Sequence, residues 1–244
     1  MFLNFKSDIA GCNVSPDLIL NIKFSPTDLC YKAAKELQDY LSVNELLNHN
    51  FGLNTDDQST VIGKMFGVLV VQANDDRIGY LSAFSGKLGG ENNHPNFVPP
   101  VFDLLTKGSF LNQGMEQLSI MNEQIRQTVS DSETLQELKA VRRKHSKMLQ
   151  QKIFEQYFFL NQKKAPKSLT AIFLEAGYKN PPAGAGECAG IKLLQYAYLN
   201  DMRPLELAEF WWGKSPKSIT WEHGRFYPNC KEKCEPILKH MLST

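Results

Sequence analysis

The sequence predicts a mixed α/β (α+β) protein: a sheet with flanking helices, interrupted by a long helical hairpin. Two observations carry this. Residues 61–84 hold two apolar, β-branched runs separated by "ANDDR", a β-hairpin pattern with a buried face. Between residues 115 and 164 glycine and proline vanish, and apolar residues recur at helical spacing instead. Residues 1–111 and 165–244 then read as the two parts of the α/β domain, and 112–164 as the hairpin inserted between them.

The elements follow in order. Ser25-Pro26 opens a helix predicted over about 26–41, with Leu29, Ala33 and Leu37 on one face. Residues 48–60 are a turn-rich loop. After the β-hairpin, residues 87–103 form a long Gly/Asn/Pro loop that carries His94, a first candidate ligand. The inserted hairpin shows one stripe of Met115, Leu118, Met121, Ile125 and Val129. A second stripe follows of Leu135, Leu138, Val141, Met148 and Ile153. Ser130 or Ser132 caps the second helix. "CAGIKLLQYAYLND" (188–201) is a helix and "LELAEFWWG" (205–213) a strand that sends Trp211 and Trp212 to opposite faces. "NCKEKCEPILKHML" (229–242) starts as a helix, where Pro236 is tolerated only in the first turns or with a kink.

Composition narrows the classes of function. The chain has 244 residues, enough for a real core, with 42% hydrophobic and 22% charged residues. A net charge of +1 gives no global pull toward nucleic acid or membrane, so any basic surface is local. No apolar run approaches the roughly 20 residues of a bilayer span. The N-terminus shows no signal-peptide pattern, and five scattered cysteines argue against a disulfide framework. A reducing, cytoplasmic setting is the expectation.

Three cysteines fall in the last quarter. Cys230 and Cys234 are four apart, a spacing that puts two thiols on one helical face. Cys188 opens another predicted helix, where the N-terminal dipole favours thiolate. Zinc takes four N/S ligands in structural sites, or three and a water in catalytic ones. His223 or His94 is the candidate for the fourth ligand. Plain packing is the competing reading, because a free cysteine behaves as a small hydrophobe. The loop "PAGAGE" ahead of Cys188 suits either an anion cradle or close packing. Glu187 reads as a general acid/base or as a solvated first-turn residue. A basic run that includes Lys139, Arg142, Arg143, Lys144 and Lys147 is a candidate RNA contact, or a solvated helix face.

Two resemblances enter here. "PPAGAGECAGIKLLQYAYLNDMRPLELAEFWWGKSP", then "HGRFYPNCKEKCEPILKHML", with "AFSGKLGGENNHPNFVPPVFDLL" upstream, resembles the N-terminal region of some bacterial RluA-type pseudouridine synthases. The resemblance implies a non-catalytic accessory region that binds RNA, selects the target or docks on a C-terminal synthase domain. The family's catalytic H-R-L-D-type motif is not in this chain, so no catalytic residue carries over. The parent protein would be an isomerase acting on ribosomal or transfer RNA.

The order of a β-hairpin, a helix opening with cysteine, a strand and paired cysteines is also similar to zinc deaminases. Cys188 matches the first ligand of their [HC]-x-E motif, and "YPNCKEKC" echoes P-C-x-x-C with one extra residue. The proton-shuttling glutamate falls on Gly190, so this resemblance implies zinc binding without activity. A homodimer built on the helical hairpin is a third reading.

Overall fold

The computed structural model describes residues 1–14, 19–20, 26–43, 49–53, 62–106, 108–129, 132–217 and 221–244. Ser25, most of the 48–60 loop and the Ser130 cap lie outside these residues. The mixed α/β architecture expected from sequence is what the described residues form. Its strands are β1 (Ile19–Leu20), β2 (Lys64–Gln72), β3 (Ile78–Phe84), β4 (Phe158–Leu160), β5 (Pro166–Ser168), β6 (Arg203–Trp212) and β7 (Phe226–Tyr227). The helices are α1 (Asp28–Val43), α2 (Phe110–Gln127), α3 (Glu133–Phe154), α4 (Leu169–Glu175), α5 (Ala189–Leu199) and α6 (Glu235–Met241).

The main sheet runs β1-β6-β2-β3, with β7 beside β1 on the outer side of β6. β2 is antiparallel to both neighbours, while β1 lies parallel to β6. The period-2 alternation of β2 divides its side chains between two layers. Phe66, Val68 and Val70 meet α1 residues Leu29, Ala33, Leu37 and Leu41 on one face. Leu69 and Val71 meet α5 residues Ile191, Leu193 and Ala197 on the other, where α4 and α6 complete the layer. Every one of these residues is buried, so the sheet is covered on both sides.

The inserted hairpin is antiparallel helices α2 and α3, which pack mainly on each other. Ser132 caps α3 by accepting from the Leu135 amide at 3.1 Å. Only Gly114, Leu118, Leu149 and Phe154 are buried along these helices. The two-stripe expectation holds in part: Met115, Val129, Val141 and Met148 stand exposed. The helices meet closely at Gly114, where a Cβ would sit 2.7 Å from Leu149 Cδ1.

Two boundaries differ from the expectation. The hairpin ends at Phe154, and residues 158–168 fold back as the β4–β5 ribbon. Lys164 turns that ribbon with a left-handed φ of 60°. Alternation then buries Tyr157 and Phe159 and exposes Phe158. The last helix starts at Glu235 rather than near Cys230, with Pro236 in its first turn. Proline lacks a donor and clashes with the preceding turn, so it is tolerated only there.

Candidate metal centre

The centre is built at the N-terminus of α5. Cys188 is the N-cap residue, in extended conformation, yet its side chain makes no capping hydrogen bond. The free amides of the first turn are satisfied from the sheet instead. Ser85 Oγ, just past β3, accepts from Ala189 N at 3.1 Å. Glu209 Oε1, on β6, accepts from Gly190 N at 2.9 Å. These two acceptors cover donors that a helix end leaves open, and the Cys188 thiol is left to face elsewhere.

It faces the C-terminal segment. One ligand atom each from Cys188, Cys230 and Cys234 lie within 4.8 Å of one another. Cys230 and Cys234 are not on one helix, contrary to the sequence reading. Cys230 precedes the turn 231–234, and Cys234 is the N-cap of α6. The amides of Cys234 and Glu235 both donate to Cys230 O, at 3.3 and 3.2 Å. That turn achieves what a helix would have: the two sulfurs lie 3.3 Å apart. Cys230 is exposed, Cys188 half-buried and Cys234 buried, so the cluster opens to solvent on the Cys230 side.

The loop before Cys188 explains its small residues by packing. Gly184 and Gly186 both have positive φ, 75° and 92°. A Cβ on Gly186 would lie 2.9 Å from Phe159 Cζ and 3.0 Å from Tyr157 Cδ1. The loop's Ala185 and Glu187 amides turn inward to Pro182 and Gly184 carbonyls. Glu187 accepts from the Tyr157 hydroxyl at 3.3 Å, and its carbonyl accepts from Gly86 N at 3.0 Å. Lys192, one turn into α5, is buried. Its Nζ donates to Phe84 O at 2.9 Å and Gly86 O at 3.0 Å. Burial brings this lysine down to about 8.

The thiols share one electrostatic system. Hydrogen bonds from Cys188, then Cys234, favour the thiolate at Cys230 and push its pKa down. Hydrogen bonding with Cys230 raises Cys188, and hydrogen bonding with Cys188 raises Cys234. Glu209, 5% exposed, is pushed up to about 7, first by burial. The charges of Cys230 and Glu209 also oppose one another.

The donor set fits zinc. Thiolates on one tetrahedral zinc, at about 2.3 Å each, lie roughly 3.8 Å apart. The cluster needs only small side-chain adjustments to meet that spacing. Cys188, Cys230 and Cys234 are the residues that would hold the ion. Among the described residues no fourth His, Cys, Asp or Glu joins the group. His223 does not: its Nδ1 accepts from Gly213 N at 2.9 Å and its ring packs on Trp212. His94 is also elsewhere, with Nε2 at 2.8 Å from Leu88 O.

Two polar side chains that sequence reading passed over do approach. Glu209 Oε1 and Asn229 Oδ1 lie 3.5 and 3.3 Å from where a Gly190 Cβ would be. Alternation along β6 from Leu207 to Trp211 already placed position 209 on the covered face. A carboxylate there was the available signal. Trp211 and Trp212 do take opposite faces, but both are buried.

The basic run lies far along α3. Lys139, Arg143, Lys144 and Lys147 are exposed, while Arg142 is half-buried and donates from Nε to Asn122 Oδ1 at 3.1 Å. Among the described residues, no helix is long and apolar enough to cross a membrane. The chain matches no known family model, and comparison with characterised proteins and with solved structures gives no match to either.

Proposed function

We propose that this chain is a zinc-binding, RNA-directed region of an RNA-modifying protein. Cys188, Cys230 and Cys234 hold one zinc, in the order of elements that zinc deaminases use. The observation that carries the reading is the meeting of three thiols, from two distant segments, within 4.8 Å. Three sulfur ligands suit a soft-leaning borderline ion such as zinc. The setting in an RluA-type pseudouridine synthase, as an accessory region holding RNA or docking on the synthase domain, belongs to the same proposal. It draws support from the sequence resemblance and from the exposed basic row on α3. The parent isomerase acts in the bacterial cytoplasm under this reading.

Metal analysis of the purified chain is the test. About one zinc per chain is expected, falling below a tenth in Cys230→Ala and Cys234→Ala. A wild-type content under about a tenth of an equivalent overturns the metal centre. A second reading, a homodimer through α2 and α3, has one observation in its favour. Met115, Ile120, Val129, Val141 and Met148 are exposed on that hairpin. Molecular mass in dilute solution decides it.

A further inference from the structure

The three thiols are not equivalent. Cys230 is the exposed residue of the group, while Cys188 is half-buried and Cys234 buried. Its sulfur stands 3.3 Å from that of Cys234, with no covalent bond between them. We infer that Cys230 and Cys234 form a peroxide-reactive pair. Cys230 meets the oxidant, Cys234 closes a disulfide onto it, and the zinc is released. The disulfide stands on the geometry of the turn alone; the release of zinc rests on the zinc reading above.

Three observations carry it. The carbonyl of Cys230 accepts from the amides of both Cys234 and Glu235, at 3.3 and 3.2 Å, so the turn itself holds the two cysteines together. A disulfide bond is about 2.05 Å long, so the sulfurs at 3.3 Å have only a short way to close. Cys188 sits apart from that turn. It opens α5, whose first amides are bonded to Ser85 and Glu209 on the sheet. Among the described residues no further His, Cys, Asp or Glu joins the group. Thiolates, not disulfides, bind metal, and zinc sites use three or four protein ligands. Bridging Cys230 to Cys234 leaves Cys188 alone, which is too few.

The oxidant is hydrogen peroxide, and the electrons balance. The Cys230 thiolate attacks one peroxide oxygen. An S–O bond forms, the O–O bond breaks and hydroxide leaves. Cys230 is then a sulfenic acid, oxidised by two electrons, and the peroxide is reduced. The Cys234 thiolate attacks the Cys230 sulfur. The S–S bond forms, the S–O bond breaks and a second hydroxide leaves. The two protons given up by the thiols turn both hydroxides into water. A small thiol reverses the change by exchange at the exposed Cys230 side.

The test uses the full-length, zinc-loaded chain and hydrogen peroxide in modest excess. Remaining thiols are alkylated under denaturing conditions, and the protein is cut with trypsin. Lys231 and Lys233 lie between the two cysteines, so the bridge joins two separate peptides, 226–231 and 234–239. That linked pair should appear, and free thiols should fall by two from the five of the reduced chain. About one zinc per bridge should reach a chromogenic chelator, and dithiothreitol should restore metal binding. In Cys234→Ser the reaction should stop at a sulfenic acid on Cys230, captured by dimedone. If that variant does not fold, the wild-type peptide map decides alone. A bridge through Cys188, a bridge between chains, a sulfinic acid at Cys230 without a bridge, or no thiol loss overturns the pair. A 230–234 bridge in a chain that takes up no zinc upholds the pair and overturns the metal reading. A bridge that leaves the zinc in place overturns the release alone.

Discussion

A Cβ at position 190 would press on Leu207 Cδ2 at 3.1 Å and on two polar side chains at 3.3 and 3.5 Å. Placing a glutamate there by Gly190→Glu therefore forces Glu209 and Asn229 aside. The expected result is a loss of about 1–3 kcal/mol in stability from overpacking, measured by urea unfolding. Glu209 makes a second residue-scale prediction in protein stripped of metal by a chelator. Its carboxyl rises from 4.5 to about 7 in the folded chain, so the folded state holds the proton more tightly than the unfolded one. Its contribution to stability is full below pH 4.5, declines as pH rises to 7, and is flat above. The decline is about 3 kcal/mol, at about 1.4 kcal/mol per pH unit. E209Q carries no such proton, so wild-type stability should fall relative to E209Q between pH 5 and pH 8. Parallel urea midpoints for the two proteins across that range would refute it.

At the scale of elements, α3 presents Lys139, Arg143 and Lys147 at intervals of four, on one exposed line of the helix. Among the described residues none of the three forms an ion pair, in contrast to Arg126 on α2, which pairs with Glu123. Reversing all three to glutamate should weaken RNA binding. The salt dependence should flatten by about 2 in log–log slope, if each contacts one phosphate of a single strand. Filter binding from low to high salt reads both quantities, and an unchanged slope removes α3 from the RNA surface. This row was legible because helix periodicity and charge both show in sequence. The sheet was legible from composition: β2 and β3 are mainly apolar, β-branched and aromatic runs with a clear turn between them. The β4–β5 ribbon was not, because Phe158, Phe159 and Leu160 suit a helix or a strand equally, and tertiary packing of Tyr157 and Phe159 decides. The late start of α6 was half legible in Pro236.

Taken as a whole, the molecule packs two apolar layers against one sheet. The α1 layer is aromatic and apolar packing around Phe66, Phe84, Phe97 and Phe210. Cys30 is buried in that layer as well, whereas the α5 layer carries the three clustered cysteines, of which Cys188 and Cys234 join its apolar core directly. The three thiols were readable as residue types in sequence. Their grouping on one ion was an expectation of the sequence, but how they meet was not legible, since it depends on β6 carrying the chain across the sheet and the 230–234 turn bringing it back to α5. Glu209 was missed because "LELAEFWW" holds two glutamates, Glu206 and Glu209, and nothing distinguishes them until the helix above the sheet is placed. A metal held by the three thiols would tie the start of α5 to the turn before α6, and so the C-terminal segment to the sheet. Its removal should act locally. The β2, β3 and β6 amides are held by a continuous ladder between two buried layers and open only with global unfolding. The segment from Phe226 to Met241 is held by the short β7 ladder, by the packing of Ile237, Leu238 and Met241, and by two side-chain bonds, Tyr198 hydroxyl to Met241 O and His240 Nε2 with Phe159 O, with no long strand ladder. Chelation should therefore raise hydrogen exchange across 226–241 by at least tenfold while leaving the centre of β2 unchanged, read by mass spectrometry of peptic fragments. The Cys230→Ala and Cys234→Ala proteins should show the same pattern without chelator. Uniform loss of protection would mean that the metal organises the whole sheet. No change at 226–241 would mean that packing alone holds the turn, and that the thiols meet without a metal to bind.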